Sequence, residues 1–196
     1  MKLLQNLKIA INCLQQWPGC WAICGGVAAC IYRKTPRYTG DIDIAIIDHA
    51  ALPAVKIAQC VVSHLGNKPL AGWVTDQHGV LIKDQALVIG RESGDGSYVG
   101  IDFLLPVLPW IRESVTRAQK NDLDYGFARV PTITPEDLII AKMYAYQGNP
   151  DRSTDLDDIL SLARDGITLD RAYLADRIRS YSLLPAKNVL NALKLG

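Results

Sequence analysis

Apolar residues recur every three or four positions across residues 3–16, at Leu3, Leu7, Ala10, Ile11 and Leu14, with Gln5, Asn6, Lys8 and Asn12 among them. That period is helical and predicts an amphipathic first helix, stopped by Pro18 and Gly19. The pattern then shortens. "WAIC" reads as a strand, Gly25 and Gly26 as the turn that follows, and "VAACIYRK" as a helix ended by Thr35 and Pro36. "DIDIAII", residues 41–47, is rich in β-branched residues and predicts the next strand. Residues 50–65 are helical by composition, with Pro53 tolerated in the first turn. Short strands are expected in "GWVTD", "GVLIK", "ALVIG" and "YVGIDFLL", with "ESGDGS" as a turn.

Past Pro106 the pattern becomes helical again. "ITPEDLIIAKMYAYQ" carries a start signal in Thr134, Pro135, Glu136 and Asp137. "NPDRSTDLDDILSLARDG" is a second such unit, and residues 169–195 supply one or two further helices. The expectation is an α/β (α+β) fold: a mixed sheet flanked by helices over residues 1–105, then a mainly helical region, residues 106–196, packed against it. No Ser/Gly linker, internal repeat or low-complexity segment divides them.

Composition narrows the class. The chain has 196 residues, 49% of them hydrophobic, enough for one substantial core. Charged residues make up 21% and the net charge is +1, which fits neither a disordered chain nor a strongly polyanion-binding one. No apolar run is long enough to span a bilayer. The polar residues within the first helix also argue against a signal peptide, so the reading is a soluble, cytoplasmic protein with no membrane partner. Five cysteines, an odd number, do not suggest a disulfide framework. Cys20, Cys24 and Cys30 are close in sequence, but no histidine lies near them, and Cys24 and Cys30 sit in apolar surroundings where cysteine reads as a small core residue. His49, His64 and His78 show no ligand spacing and read as ordinary residues. Trp17, Trp21, Trp73 and Trp110 are scattered and offer no evident stacking platform.

The strand at residues 41–47 poses the chemical question. Residues two apart on a strand share a face, so Asp41 and Asp43 project together while Ile42 and Ile44 project the other way. Adjacent like charges repel, and a divalent cation relieves that repulsion. Taken alone, Asp-x-Asp fits a metal pair or a solvated strand end equally. Gly25 and Gly26, between a strand and a helix, suit close approach of a phosphate to free N–H groups. Asp102 lies between Ile101 and Phe103 in an apolar run, where a carboxylate is unusual unless paired or metal-bound. Three carboxylates beside a phosphate-friendly turn describe a two-metal phosphoryl-transfer site.

These motifs resemble the nucleotidyltransferase superfamily related to polymerase β. That superfamily carries hG[GS], then [DE]h[DE]h, then a carboxylate on a later strand. Its AbiEii-like branch is the nearest pattern, with aminoglycoside nucleotidyltransferases as relatives. Gly25-Gly26-Val27-Ala28 and Arg37-Tyr38-Thr39-Gly40-Asp41-Ile42-Asp43 match "GG-x-A" and "R-x-[ST]-x-D-I-D". In the helical half, "TPEDLIIAKMYA" and "DRSTDLDDI" are similar to "P-x-D-L-x-x-x-K" and "R-x-x-x-D-x-x-D-I". This places Lys142, Arg152, Asp155 and Asp158 on family positions. Thr154 stands where related sequences often carry lysine.

The resemblance implies a Mg²⁺- or Mn²⁺-dependent enzyme that moves NMP from an NTP such as ATP to a hydroxyl acceptor. Asp41, Asp43 and Asp102 would bind metal, and Asp102 would accept the acceptor's proton. Gly25, Gly26, Arg37, Thr39, Lys142 and Asp155 would form the nucleotide site. Arg33, Lys34 and Arg37 make a compact basic group that suits a triphosphate or an RNA acceptor alike. A tRNA or protein acceptor, and an antitoxin partner in a toxin–antitoxin pair, are the expectations. The alternatives are a small-molecule, aminoglycoside-like transferase or a catalytically inactive nucleotide-binding module.

Overall fold

The computed structural model describes residues 2–47, 53–65, 80–82, 85–89 and 100–195. Helix α1, Lys2–Gln15, buries Leu7, Ala10, Ile11 and Leu14, the stripe expected from the pattern. Strand β1, Cys20–Ile23, leads directly into α2, Gly25–Tyr32. The glycine pair therefore forms the first turn of the helix rather than a separate turn before it. Strand β2, Asp41–Ile47, matches the expected span, and Ile42, Ile44 and Ile46 are fully buried. Helix α3, Ala54–Leu65, begins just after Pro53.

The sheet continues through β3, Leu81–Ile82, β4, Ala86–Ile89, and β5, Gly100–Leu104. Its order is β1-β2-β5-β4-β3, with only the β2–β5 pair parallel. The expected "GWVTD" strand and "ESGDGS" turn, with His49, Trp73 and His78, lie outside the described residues.

Helix α4, Ile111–Ala118, precedes a hairpin that the polarity pattern did not announce: β6, Asp122–Asp124, and β7, Arg129–Pro131. Gly126 turns it at φ +78°, with its N–H donating to Asp124 Oδ1 at 2.8 Å. Just past β7, Thr132 bridges Ile23 in parallel, and Ile133 N–H donates to the Ile23 carbonyl. This contact anchors the start of α5, Pro135–Gly148, beside the sheet. Thr134 caps α5 by accepting from Asp137 N–H at 3.3 Å, with Pro135 in the first turn. Helices α6, Ser153–Arg164, α7, Arg171–Ser180, and α8, Lys187–Leu193, complete the chain.

One apolar core runs through both halves, from Ile11 and Phe103 to Leu138, Leu162 and Val189. A polar group also pins the helices to each other. The Asp137 carboxylate accepts from Arg117, Thr134 and Tyr173, while the Arg117 guanidinium stacks 3.7 Å from the Tyr173 ring centroid. Because α5 packs against both α2 and α6, residues far apart in sequence meet at one end of β2.

Candidate functional site

The register of the parallel pair places the first two groups. Asp43 on β2 is opposite Asp102 on β5, so two carboxylates stand side by side on adjacent strands. Asp41 begins β2, exposed, and its Oδ1 accepts from the Thr39 hydroxyl at 3.0 Å. Across from Asp43 lies the start of α2, whose N-cap residue, Cys24, makes no side-chain cap. That leaves the first N–H groups of the helix available, and Gly26 N–H hydrogen-bonds the Asp43 carboxylate.

The glycines have a nearer reason than the phosphate expected from sequence. Gly25 sits at φ +57°, and a Cβ there would fall 1.7 Å from Asp43 Oδ2. A Cβ on Gly26 would fall 2.2 Å from Thr39 Oγ1. Asp43 and Thr39 thus press directly onto the helix backbone. No side chain fits between them and the N-terminus of α2.

Burial, then the charges of Asp41 and Asp102, push the Asp43 carboxyl up to about 7, against the pull of Lys142 and the Gly26 N–H. Like charges gathered this way, with oxygen donors only, fit a hard divalent cation such as Mg²⁺ or Mn²⁺. Among the described residues, the trio of Cys, His, Asp or Glu donors that crowds within 4.8 Å is Cys13, Cys60 and His64, so the three carboxylates are less tightly drawn together.

A second acidic group lies across the opening, on α6, and its chemistry is the reverse. Asp158 is fully buried and accepts from Arg33 at 2.6 Å, from Arg37 at 2.8 and 2.6 Å, and pairs with Lys142 at 2.7 Å. Burial pushes its carboxyl up, but Arg37, Lys142 and Arg33 outweigh that and hold it down at about 2. Asp155, one helical turn earlier, accepts from Lys142 at 2.8 Å and from Arg152 at 2.5 Å. Lys142, expected in the nucleotide site, is 5% exposed and clamped between these two carboxylates, and its charge still reaches Asp43.

Between the two groups is a cleft of about 1060 Å³. The nine residues that the resemblance gives to metal or nucleotide line it, namely Gly25, Gly26, Arg37, Thr39, Asp41, Asp43, Asp102, Lys142 and Asp155, while Asp158 and Arg33 lie outside the lining. Leu104, Leu108, Trp110, Leu138 and Tyr144 supply apolar wall, and Tyr38, 84% exposed, stands at the rim. Arg152 also lines the cleft, and its guanidinium feels the charges of Asp155, Asp43 and Asp41. Its spacing of three residues before Asp155 was a visible signal for that pair. The Arg33–Asp158 pair had none, since 125 residues separate the partners. Lys34 lies outside the cleft lining, with its backbone N–H bonded to Asp165.

The start of α2 and the three strand carboxylates therefore meet at one side of a single cleft. The sequence profile described as "Nucleotidyl transferase AbiEii toxin, Type IV TA system" matches residues 10–194, and the chain belongs to this family. Among solved structures, JHP933 from Helicobacter pylori is 16% identical, with a TM-score of 0.54 over 92% of this chain and 73% of that one. At that identity the likeness is one of fold. An antigenic nucleotidyltransferase-like protein from Paracoccidioides brasiliensis is 18% identical, with a TM-score of 0.49 over 97% and 92% of the two chains. The antibiotic-resistance factor ANT(2'')-Ia is 16% identical, with a TM-score of 0.45 over 97% and 88%. No functionally curated protein matches the sequence. No helix among the described residues is long and apolar enough to cross a membrane.

Proposed function

We propose that this chain is the nucleotidyl-transferring toxin of a toxin–antitoxin pair, moving NMP from an NTP to a hydroxyl on tRNA or protein. The observation that carries the reading is the in-register pair Asp43 and Asp102, set beside Asp41 and facing the open start of α2. Asp41, Asp43 and Asp102 would hold Mg²⁺ or Mn²⁺. Such ions neutralise triphosphate charge and make the acceptor hydroxyl more acidic when bound.

The chain's own groups account for the rest. The N–H group at Gly25, and that at Gly26 once Asp43 turns from it toward a cation, would receive phosphate oxygens at the positive end of α2. Arg37, Thr39 and Lys142 border that point, with Asp155 and Asp158 fixing the two cations. The acceptor oxygen attacks the α-phosphorus, its proton passes to Asp102, and the bond to the β-phosphate breaks to release pyrophosphate. The rigid ion-pair wall keeps the positive charges placed before substrate arrives, so little reorganisation accompanies reaction.

The test is to incubate the protein with each α-labelled NTP and Mg²⁺ in the presence of total RNA, total protein, or small aminoglycosides. Label on RNA or protein supports the reading. Label only on a small molecule would assign the antibiotic-modifying class. No label anywhere, with no Mg²⁺-dependent nucleotide binding, would mark a catalytically inactive module. Co-purification with the product of an adjacent reading frame tests for an antitoxin partner.

A further inference from the structure

Away from the cleft, α1 packs against α3, and two thiols and an imidazole meet in their seam. Cys13 comes from α1, while Cys60 and His64, four apart, come from one face of α3. The sequence reading took His64 for an ordinary residue and gave Cys13 and Cys60 no role. Here Cys60 Sγ lies 3.2 Å from Cys13 Sγ, and His64 Nδ1 lies 3.8 Å from both sulfurs. None of the three lines the cleft.

We propose that Cys13, Cys60 and His64 form a second metal site, for a thiophilic cation of the zinc class, that staples α1 to α3. Zn–S bonds of about 2.3 Å and Zn–N bonds of about 2.0 Å put tetrahedral sulfurs about 3.8 Å apart and a sulfur–nitrogen pair about 3.5 Å apart. Small side-chain shifts meet both: the sulfur–nitrogen separations of 3.8 Å close a little, and the sulfur pair opens from 3.2 Å. Two thiolates and an imidazole favour zinc over the hard cations suited to the carboxylate site.

The site is built in depth. Cys13 is buried, Cys60 half-buried and His64 exposed, so a cation enters from the His64 side and a water completes its shell. His64 Nδ1 also lies 2.8 Å from the Cys60 carbonyl, a contact that orients the ring over the sulfurs. When Nδ1 turns to a metal, that carbonyl keeps the Ser63 hydroxyl, which donates at 2.7 Å.

The test uses the full chain carrying Asp41→Asn and Asp43→Asn, which removes the competing carboxylates, with all thiols first shown to be reduced. Cobalt(II), then zinc, is titrated in excess Mg²⁺. The expected result is one equivalent bound, a thiolate-to-cobalt charge-transfer band that zinc bleaches, and a higher melting temperature with zinc. Cys60→Ser should abolish the band, and His64→Ala should weaken zinc at least tenfold; both positions tolerate change because neither is fully buried. Reduced protein without a charge-transfer band, or zinc affinity unchanged in folded Cys60→Ser, overturns the site. Isolation of a Cys13–Cys60 disulfide whose reduced form binds no zinc also overturns it.

Discussion

The two acidic groups that face each other across the cleft are made of the same residue and behave in opposite ways. Asp43 is crowded by Asp41 and Asp102 and its carboxyl rises to about 7. Asp158 is fully buried where Asp43 is half-buried, yet Arg33, Arg37 and Lys142 bring it down to about 2. The α6 group is built with its cations included, whereas at Asp43 the charges of Asp41 and Asp102 act against the pull of Lys142. A fold under no functional demand would not collect carboxylates on neighbouring strands, because each added charge raises the cost of the next. The contrast supports the proposal that the α6 group serves structure and charge placement while the strand group holds an external cation.

The comparison breaks most visibly at Asp43. Asp43→Asn should lower nucleotidyl transfer by roughly three orders of magnitude or more, since several kcal/mol of transition-state stabilisation goes with the metal. Its stability should move the other way. The folded carboxyl titrates near 7 and the unfolded one at 3.8, so between those values the folded state holds the extra proton. Stability of the metal-free wild type therefore falls as pH rises from about 4 to about 7. Asp43→Asn should flatten that slope and melt higher at pH 8, as read by thermal unfolding across pH in EDTA.

On the other wall the sign reverses. Asp158→Ala leaves three cations around a vacated buried position and should cost about 3–5 kcal/mol in denaturant unfolding. The stabilising part of this carboxylate is present above its unfolded value of 3.8 and is lost as pH falls through about 2. A variant that unfolds no more readily than wild type would mean the ion pairs carry little of the packing.

Gly25→Ala sharpens the junction between the strand carboxylates and α2. The left-handed φ alone costs roughly 1–2 kcal/mol, and the new Cβ drives Asp43 from the helix start. Both stability and metal-dependent NTP affinity should drop. A folded Gly25→Ala protein with unchanged affinity would separate the helix start from the nucleotide.

The smallest effect is expected at Lys142. Lys142→Met keeps the stem packing and removes a charge that reaches both clusters, so transfer should fall about tenfold. Asp43 would also lose a neighbour that draws its carboxyl down, moving the acid side of the activity profile toward higher pH. An unchanged rate and profile would confine the lysine to holding α5 against α6.

Local patterning made much of the site legible. "DIDIAII" reads as a strand with both aspartates on one face, and the Thr134–Pro135 start reads as a helix that carries Lys142. What stayed hidden depended on distance or on short polar elements. The β6–β7 hairpin has three-residue strands, among them Asp-Leu-Asp, too short and charged for a period to show. Arg33 meets Asp157 and Asp158 only because α2 packs beside α6. The Cys13–Cys60–His64 seam likewise needed two helices to meet across 47 residues of chain. The i, i+4 spacing of Cys60 and His64 was visible, but without Cys13 it carried no weight.

Calorimetric titration of NTP with and without Mg²⁺ tests the central claim most directly. The account predicts measurable binding in Mg²⁺, loss of that binding in EDTA, and loss in Asp41→Asn/Asp43→Asn protein that still melts cooperatively. Equal NTP affinity in Mg²⁺ and EDTA would contradict it, leaving the strand carboxylates without a cation to hold.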